Sequence, residues 1–384
     1  MTQPRITVAS LFSGIGGLDL GFEWAGFDVV WANDVMPAAA ASYSRNFGRE
    51  MVLGDISKMC LEEIPDVDVL IGGPPCQSFS LVGQRRPDDE RGRLVYRFLD
   101  VVRIKRPRAF VMENVPGLAA SKVDGRRLSA ILVEEFEALG YTVTAMKLDA
   151  SEYLVPQKRQ RLFLIGVRGT KVTKPDPVAF ARECYGIDVG TYDKGAAAAL
   201  GDLCHAVTKG CLATYKDVEL SAFAKLMRRE GLESFTLHES PRMSETDQRL
   251  LSFIPPGGNF MDVPDEHATP RMLKFKQTGG RTTTYGRLHP NRPSYTVNTY
   301  FRRPNVGSNF HYSEPRLITA REAMRLQSIP DYMTTVHTSQ DTRNTLIGNA
   351  VPPLLAHAVA WAVRKALTEN TPVAGEARGA VSTI

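Results

Sequence analysis

The stretch Val67-Asp68-Val69-Leu70-Ile71-Gly72-Gly73-Pro74-Pro75-Cys76 indicates an α/β fold and a site at the end of one of its strands. Residues 67–71 are a short apolar run, typical of a buried strand in a parallel sheet. Paired glycines and prolines then end the strand and favour a rigid turn. Because ligands of open α/β sheets bind beyond the carboxyl ends of the strands, we expect Cys76 to lie in such a crevice. The alternative is a small buried side chain, the more common place for a lone free cysteine.

The composition is that of an ordinary globular protein. The chain has 384 residues, 43% hydrophobic and 23% charged, which is enough for one large domain and a smaller one. A net charge of +5 permits a polyanionic partner without requiring one. We expect no membrane segment, because no apolar run is long enough and the N-terminus lacks a signal-peptide pattern. The five cysteines lack paired or zinc-type spacing, so we expect a reducing, cytoplasmic setting, no disulfides and no metal site.

Strands and helices alternate through residues 1–170. The predicted strands are 6–11, 28–33, 67–71, 109–112, 141–148 and 162–167, and the predicted helices are 18–25, 37–47, 94–105 and 126–139. This alternation predicts an α/β, Rossmann-like doubly wound sheet. We assign residues 1–170 to a catalytic and cofactor-binding domain.

A glycine-rich turn, Phe12-Ser13-Gly14-Ile15-Gly16-Gly17, joins the first strand to the first helix. Such a turn suits close backbone approach to a ligand at a helix N-terminus, although its spacing departs from the dinucleotide fingerprint. Asp34 ends the second strand and can accept hydrogen bonds from ribose hydroxyls, unless it is a helix N-cap. Asp55 follows another strand, where it can accept from an adenine amino group or close a turn.

Charged side chains follow two further strands. Glu113 comes after the strand 109–112 at the same edge as Cys76, which makes it a candidate for a raised pKa and an acid role. Arg159 and Arg161 share one face of an extended segment, as an anion or base clamp or as a plain basic edge. The charged segment 83–92 is either a closing lid beside Cys76 or a solvated connector.

The pattern changes after Gly169, where the α/β alternation stops. Residues 171–316 are rich in Gly, Pro, Thr and Arg, a mixture suited to groove and phosphate contacts, so we predict a separate, loop-rich domain there. A connecting helix and hinge at 317–340, a return to the catalytic domain at 341–367 and a disordered tail at 368–384 complete the chain.

The motifs, taken in this order, resemble those of the cytosine-C5 DNA methyltransferases of the prokaryotic restriction-modification type. The stretches that carry the resemblance are 12–17, 73–77, 113–115, 157–161, 321–327 and 348–352. The resemblance implies an S-adenosylmethionine-dependent methyltransferase sheet with a smaller target-recognition domain. Asp34 is a mild departure, since many relatives carry Glu at that position, but the shorter acid can still accept from ribose.

The resemblance also implies roles for individual residues. Cys76 attacks C6 of a flipped cytosine, protonated Glu113 donates to N3, and Arg159 holds the O2 edge with support from Arg161. The residues expected to bind the cofactor are Phe12, Gly14, Gly16, Gly17, Asp34, Asp55, Ile56, Pro75, Leu94, Asn349 and Ala350. Contacts to DNA are expected from Gln77, Ser80, Arg281 and Arg287.

The expected partner is duplex DNA in the cytoplasm, with a monomeric enzyme at the nucleoid and a cognate restriction endonuclease acting on the same site. An RNA cytosine methyltransferase on the same scaffold is an alternative, although relatives acting on transfer RNA usually have a Cys-Phe-Thr tripeptide that this chain lacks. A catalytically inactive DNA-binding homologue would be expected to lack Cys76 or Glu113, and both are present. A nucleotide-dependent oxidoreductase is suggested by the glycine turn alone.

Overall fold

The computed structural model describes residues 5–75, 90–123, 125–336 and 339–369. The predictions for Cys76, Gln77 and Ser80, and for the tail from residue 370 onward, therefore lie outside the described residues. The segment 83–92, predicted as a lid, is outside them up to residue 89, and residues 90–92 begin a helix.

The described elements alternate as predicted in the first part of the chain and become short and irregular after it. The strands are β1 (Thr7–Leu11), β2 (Asp28–Asp34), β3 (Val52–Leu53), β4 (Val69–Gly72), β5 (Ala109–Asn114), β6 (Lys122–Val123), β7 (Arg126–Arg127), β8 (Thr142–Asp149), β9 (Gln160–Val167), β10 (Ala213–Thr214) and β11 (Ser234–Phe235). The helices are α1 (Gly17–Trp24), α2 (Pro37–Phe47), α3 (Glu90–Lys105), α4 (Gly117–Ala120), α5 (Leu128–Ala138), α6 (Pro177–Tyr185), α7 (Ala196–Leu200), α8 (Ala222–Met227), α9 (Glu245–Ser252), α10 (Pro270–Thr278), α11 (Ala320–Leu326), α12 (Gln340–Asn349) and α13 (Pro353–Glu369). Short 3-10 turns lie at Leu61–Glu63, Ala150–Glu152, Phe260–Asp262 and Pro304–Val306.

The central sheet confirms the predicted α/β class. Within the described ranges its strand order is β3-β2-β1-β4-β5-β9-β8. The pairs from β3 to β5 are parallel, whereas β9 is antiparallel to both β5 and β8. The chain order reverses beside β1, which lies between β2 and β4, so the carboxyl ends of these strands open a crevice of the kind that binds ligands.

Helices cover both faces of the sheet because its strands are apolar on both sides. In β4, Val69 and Ile71 join the large core on the side of α1 and α13, while Leu70 joins the core formed with α3 and α5. Strand residues alternate between faces, so a strand buried on both sides must be apolar throughout. Strand β5 runs to Asn114, which puts Glu113 inside the strand rather than beyond it.

Among the described residues, one segment meets the length and composition of a membrane span, which the sequence analysis did not single out. The segment is Gln340–Glu369. It consists of α12 and α13, with residues 350–352 between the two helices. In the protein, 89% of its most apolar window is buried. Helix α13 packs against α1, α6 and β9, and a helix enclosed in this way is apolar all round without a membrane.

The region 171–316 is divided between two apolar cores. Phe180, Leu203, Phe223 and Phe235 belong to the large core shared with α13. A separate cluster consists of Leu250, Leu251, Ile254, Phe260, Val263, Met272, Phe310 and Leu317. The change of sequence pattern after Gly169 thus marks the end of the sheet, whereas the separate core begins near residue 243.

Buried ion pairs tie this region to α11. Arg325, fully buried, lies 2.9 Å from Asp202 and 2.6 Å from Asp331. Nearby, Arg316 lies 2.7 Å from Glu322, which forms the predicted capping box with Thr319 at the start of α11. Charges this deeply buried are tolerated only when they are paired and hydrogen-bonded, so the pairs fix the position of α11.

Candidate active site

A cavity of about 650 Å³ opens at the carboxyl ends of β1, β2, β4 and β5. That volume lies within the range of ligand sites in proteins, about 300–1,000 Å³. The predicted site residues that line it are Phe12, Gly14, Gly17, Asp34, Pro75, Glu113, Arg161, Asn349 and Ala350. The structure therefore brings the glycine turn, the acidic strand ends and the last motif together, as the sequence predicted.

The glycine turn lines the cavity with Gly14 and Gly17. Gly14 has φ +55° and open space where a Cβ would lie. Gly16 also has a positive φ, but a Cβ there would lie 2.2 Å from the Phe47 ring. Gly16 does not line the cavity, which differs from the prediction: it is required for the packing of α1 against α2.

Asp34 lies on the rim with its carboxylate held by backbone. The N–H of Gly14 donates to Oδ2 and that of Met36 to Oδ1, both at 2.9 Å. Each oxygen retains a lone pair for a ligand hydroxyl. Burial raises the pKa of Asp34, and the backbone donors oppose that rise. The N-cap of α2 is Met36, which has no side-chain cap, so the N-cap alternative for Asp34 is not observed.

Glu113 lies deep in the cavity beside the turn that leads to residue 76. It is 8% exposed, and its Oε1 lies 2.7 Å from Nε of Arg161. A Cβ on Gly73 would lie 2.9 Å from its Oε2, so the backbone of the turn passes directly over the carboxyl group. Burial raises the pKa of Glu113 even though Arg161 and Arg159 act to lower it. The group is therefore biased towards its protonated form.

Asn114 fixes the same turn through a side-chain hydrogen bond, a role that the sequence analysis did not assign. Its Nδ2 donates to the carbonyl of Pro74 at 2.9 Å, and its Oδ1 accepts from the N–H of Val115. The strand that carries Glu113 therefore also fixes the turn two residues before Cys76. A polar residue at the inner end of an apolar strand was the signal available in the sequence.

The two arginines occupy the reverse of their expected places. Arg161 pairs with Glu113 and lines the cavity. Arg159 lies behind it, 1% exposed, and donates to the backbone carbonyls of Val297, Gly348 and Ala350. The guanidinium that lines the cavity is thus that of Arg161, whereas the two Nη atoms of Arg159 are bonded to protein backbone.

Several other predicted residues do not line the cavity. Asp55 accepts from the N–H and hydroxyl of Ser57 and so closes a turn, which was its alternative. Ile56 belongs to the core on the α3 side of the sheet, and Leu94 packs against that core. These side chains are satisfied by local turn or core contacts, which explains why none reaches the cavity.

The two arginines predicted to contact DNA also differ from each other. Arg281 is exposed at the turn after α10, whereas Arg287 donates to the carbonyls of Ile254 and His311. Two nitrogens of the Arg287 guanidinium thus bond to local backbone, and its predicted contact with DNA stays a prediction.

A buried polar group beneath the glycine turn was missed by the sequence analysis. Asp19, fully buried in α1, accepts from Ser10 at 2.7 Å and from Tyr43 at 2.8 Å. Burial raises its pKa to about 6, against the effect of these hydrogen bonds. Because Ser10 lines the cavity, this group supports the cavity wall. An acidic residue among the apolar positions of α1 was the available signal.

The arrangement matches a known protein family across nearly the whole chain. The model of the C-5 cytosine-specific DNA methylase family matches residues 6–365. The chain belongs to this family. The methyltransferase is 35% identical over 357 residues to the Type II methyltransferase M.NgoFVII of Neisseria gonorrhoeae, covering 91% of this chain and 84% of that protein. It is 32% identical over 377 residues to M1.HphI of Haemophilus parahaemolyticus, with 95% and 88% covered.

Solved structures agree with this assignment. A structure described as a DNA modification methyltransferase of an Escherichia coli prophage superposes with a TM-score of 0.67 at 25% identity, covering 95% of this chain and all of the other. The Schizosaccharomyces pombe Dnmt2 methyltransferase has a TM-score of 0.57 at 17% identity, covering 95% and 99%, and shows the shared fold. The protein is thus a DNA (cytosine-5-)-methyltransferase of the type found in restriction-modification systems.

Proposed function

We propose that this enzyme transfers a methyl group from S-adenosylmethionine to C5 of a cytosine flipped out of a specific duplex DNA sequence, through a covalent adduct between Cys76 and C6. The observation that carries the proposal is the buried pair of Glu113 and Arg161 in the wall of the cavity, directly beneath Gly73. This pair offers a proton and a fixed cation to one bound ring. Residues Gly73–Pro75 line the same cavity, and Cys76 is the next residue in the chain.

The cofactor would occupy the part of the cavity between the glycine turn and α12. The Asp34 carboxylate, held by two backbone donors, would accept the ribose hydroxyls. The open backbone at Gly14 admits close approach of the ligand, and Asn349 and Ala350 close the opposite side. When bound there, S-adenosylmethionine supplies the methyl group that C5 accepts.

The residues of the chain perform the activation of the base. The thiolate of Cys76 adds to C6, and negative charge then develops towards N3 of the ring. Glu113, with its pKa raised by burial, donates a proton to N3 and so makes C5 nucleophilic. Arg161 holds the O2 edge and stabilises the carboxylate that remains. Once C5 has accepted the methyl group, loss of the C5 proton to solvent expels the thiolate of Cys76, and N3 returns its proton to the Glu113 carboxylate, which restores the ring and the acid.

The base must leave the duplex to reach this cavity, because Glu113 is buried and stacked bases do not expose these atoms. Flipping costs a few kcal/mol, which contacts to the DNA backbone must offset. We assign selection of the target sequence to the region 171–316, whose separate core at residues 250–317 supports exposed polar loops. A cognate restriction endonuclease would cut the same site when it is unmethylated.

The test is covalent trapping combined with mapping of the product. Duplex DNA containing 5-fluorocytosine should trap wild type, because fluorine cannot leave as the C5 proton does, and Cys76→Ser should form no adduct. Bisulfite sequencing of DNA from cells that express the enzyme should reveal methylcytosine at one recurring sequence. Radiolabelled methyl transfer to RNA but not to DNA would overturn the choice of substrate, and an adduct formed equally well by Cys76→Ser would overturn the nucleophile.

A further inference from the structure

Arg159 joins segments of the chain that are far apart in sequence. From the start of β9, its Nη1 donates to the carbonyl of Val297 at 2.9 Å. Its Nη2 donates to the carbonyls of Gly348 and Ala350 at 2.7 and 3.0 Å. The side chain is 1% exposed and does not line the cavity. It therefore links the catalytic sheet to the end of the recognition region and to the end of α12.

The chemistry of the contact specifies an arginine. Gly348 lies in the last turn of α12 and Ala350 is its C-cap, where the negative ends of the peptide dipoles favour a cation. A planar guanidinium can donate in several fixed directions at once, whereas an ammonium group offers a single point charge. Removing a cation from water is unfavourable, so the burial of Arg159 is tolerated because three carbonyls accept from its two Nη atoms.

The joined segments also touch each other directly. A Cβ on Gly348 would lie 2.5 Å from the backbone nitrogen of Thr299 and 2.6 Å from the carbonyl carbon of Asn298. The absence of a side chain at residue 348 thus lets the backbone of 298–299 pack against α12. With Arg159 bonded to both sides, a displacement of one segment displaces the other.

The two sides of this junction face different ligands. Asn349 and Ala350 line the cavity on the side of α12. On the other side, Tyr295 and Tyr300 are each 53% exposed, and the guanidinium of Arg303 lies 5.1 Å from the centre of the Tyr300 ring. Exposed aromatic and cationic groups in one short segment suit contact with the phosphates and bases of nucleic acid.

We propose that Arg159 is a positioning residue that couples the binding of DNA by residues 294–303 to the binding of S-adenosylmethionine against Asn349 and Ala350. The inference rests on the proposed function and deepens it. When DNA binding fixes the position of Val297, the guanidinium of Arg159, which donates to its carbonyl, also fixes the positions of the Gly348 and Ala350 carbonyls. Because such coupling is reciprocal, the cofactor strengthens DNA binding by the same factor.

The experiment measures that factor in the full chain. Calorimetry gives the Kd of S-adenosylhomocysteine with and without a saturating duplex that carries the site found by bisulfite sequencing. The ratio of the two Kd values is the coupling factor. For wild type we expect a factor of about 5–150, the usual range for allosteric pairs.

Two variants break the junction in different ways, and a third is a matched control. Arg159→Lys keeps the positive charge but removes the planar guanidinium that donates to three carbonyls. Gly348→Ala keeps Arg159 but places a Cβ that forces residues 298–299 away from α12. Arg321→Lys is the control, because Arg321 is also fully buried and also donates to backbone carbonyls, those of Thr236, Pro330 and Met333. None of its partners lines the cavity.

We expect the factor to fall to about one in Arg159→Lys and in Gly348→Ala, while Arg321→Lys stays within about twofold of wild type. The affinity of each variant for S-adenosylhomocysteine alone should stay within a few-fold of wild type. A wild-type factor of one, an unchanged factor in Arg159→Lys, or an equal loss in Arg321→Lys would overturn the inference. The proposed function is tested separately by wild-type methylation, which does not depend on the coupling factor.

Discussion

Glu322 provides the sharpest quantitative prediction, since its partners are all buried. Its Oε1 and Oε2 accept from Arg316 at 2.7 and 2.8 Å, and Oε2 also accepts from the N–H of Thr319 at 2.8 Å. Burial by itself would raise the pKa of Glu322, but the hydrogen bonds and charge of Arg316, with smaller effects of His311 and His238, bring it down to about 2. The ordinary value is 4.5.

The perturbation is Glu322→Gln, which keeps the shape and removes the charge. A fall in pKa from 4.5 to about 2 corresponds, at about 1.4 kcal/mol per pH unit, to about 3 kcal/mol of stability. When the pKa of a carboxyl group is lower in the folded state than in the unfolded state, its contribution to stability is complete above the unfolded-state pKa. That contribution is lost as the pH falls through the folded-state pKa. Wild type should therefore exceed Glu322→Gln by about 3 kcal/mol at pH 7, and the difference should shrink by more than half by pH 3.

Urea unfolding followed by circular dichroism at pH 7, 5, 4 and 3 measures this difference. The matched control is Glu314→Gln, because Glu314 contacts the same Arg316 through one hydrogen bond and is more exposed, so its effect should be smaller. A difference for Glu322→Gln that stays constant from pH 7 to pH 3, or that is below about 1 kcal/mol at pH 7, would refute the reasoning.

The remaining predictions concern the cavity and the recognition region. Asp34→Ala should weaken S-adenosylmethionine binding by about 1–3 kcal/mol, the range for hydrogen bonds to a charged group, and leave DNA affinity without cofactor nearly unchanged. Calorimetry that finds equal cofactor affinity in the folded variant would contradict this. Glu113→Gln should lower the single-turnover methylation rate by about 10²–10⁴-fold without loss of DNA binding. Because burial raises the pKa of Glu113, the wild-type rate should also fall as pH rises through that pKa, and a flat profile would argue against the acid role. Arg281→Ala should cost about 1–3 kcal/mol in DNA affinity at one base position if the side chain contacts a guanine, or weaken all sequences alike if it contacts a phosphate. Arg287→Ala should instead lower the urea midpoint, because its guanidinium bridges backbone carbonyls.

The sequence predicted those parts of the structure that depend on local pattern. The apolar runs predicted the strands of the sheet, and the rule that ligands bind beyond the carboxyl ends of such strands predicted the edge where Asp34 and Glu113 line one cavity. Helix α2 begins at Pro37 and ends before Gly48, which has φ +66°, as the capping signals indicated. These features follow from steric and hydrogen-bonding rules that act over a few residues.

The sequence could not predict features that depend on distant backbone. The spacing of Arg159 and Arg161 identified the pair, but which of the two lines the cavity depends on the backbone carbonyls of residues 297, 348 and 350, which bind Arg159. Likewise, the sequence does not show that the carboxylate of Asp55 accepts from the hydroxyl of Ser57 rather than from a ligand. The boundary near residue 171 marks a change of secondary structure. Sequence pattern alone does not show which of the two apolar cores each helix after that boundary joins.

The buried cluster of Arg325, Asp202 and Asp331 limits how this enzyme can acquire a new target sequence. A genetic exchange that imports residues 171–316 from a relative separates Asp202 from the Arg325 of the host. If the donor lacks an acid at that place, the hybrid loses one partner of a buried pair, which typically costs about 3–5 kcal/mol. An exchange confined to a segment from about residue 243 to Leu317, with a crossover at each end, would leave Asp202, Arg325 and Asp331 in one lineage and exchange the smaller core alone. We therefore expect viable double-crossover recombinants to be enriched in segments that begin near residue 243 and end near Leu317, a bias that a library of random segment exchanges between two relatives would reveal.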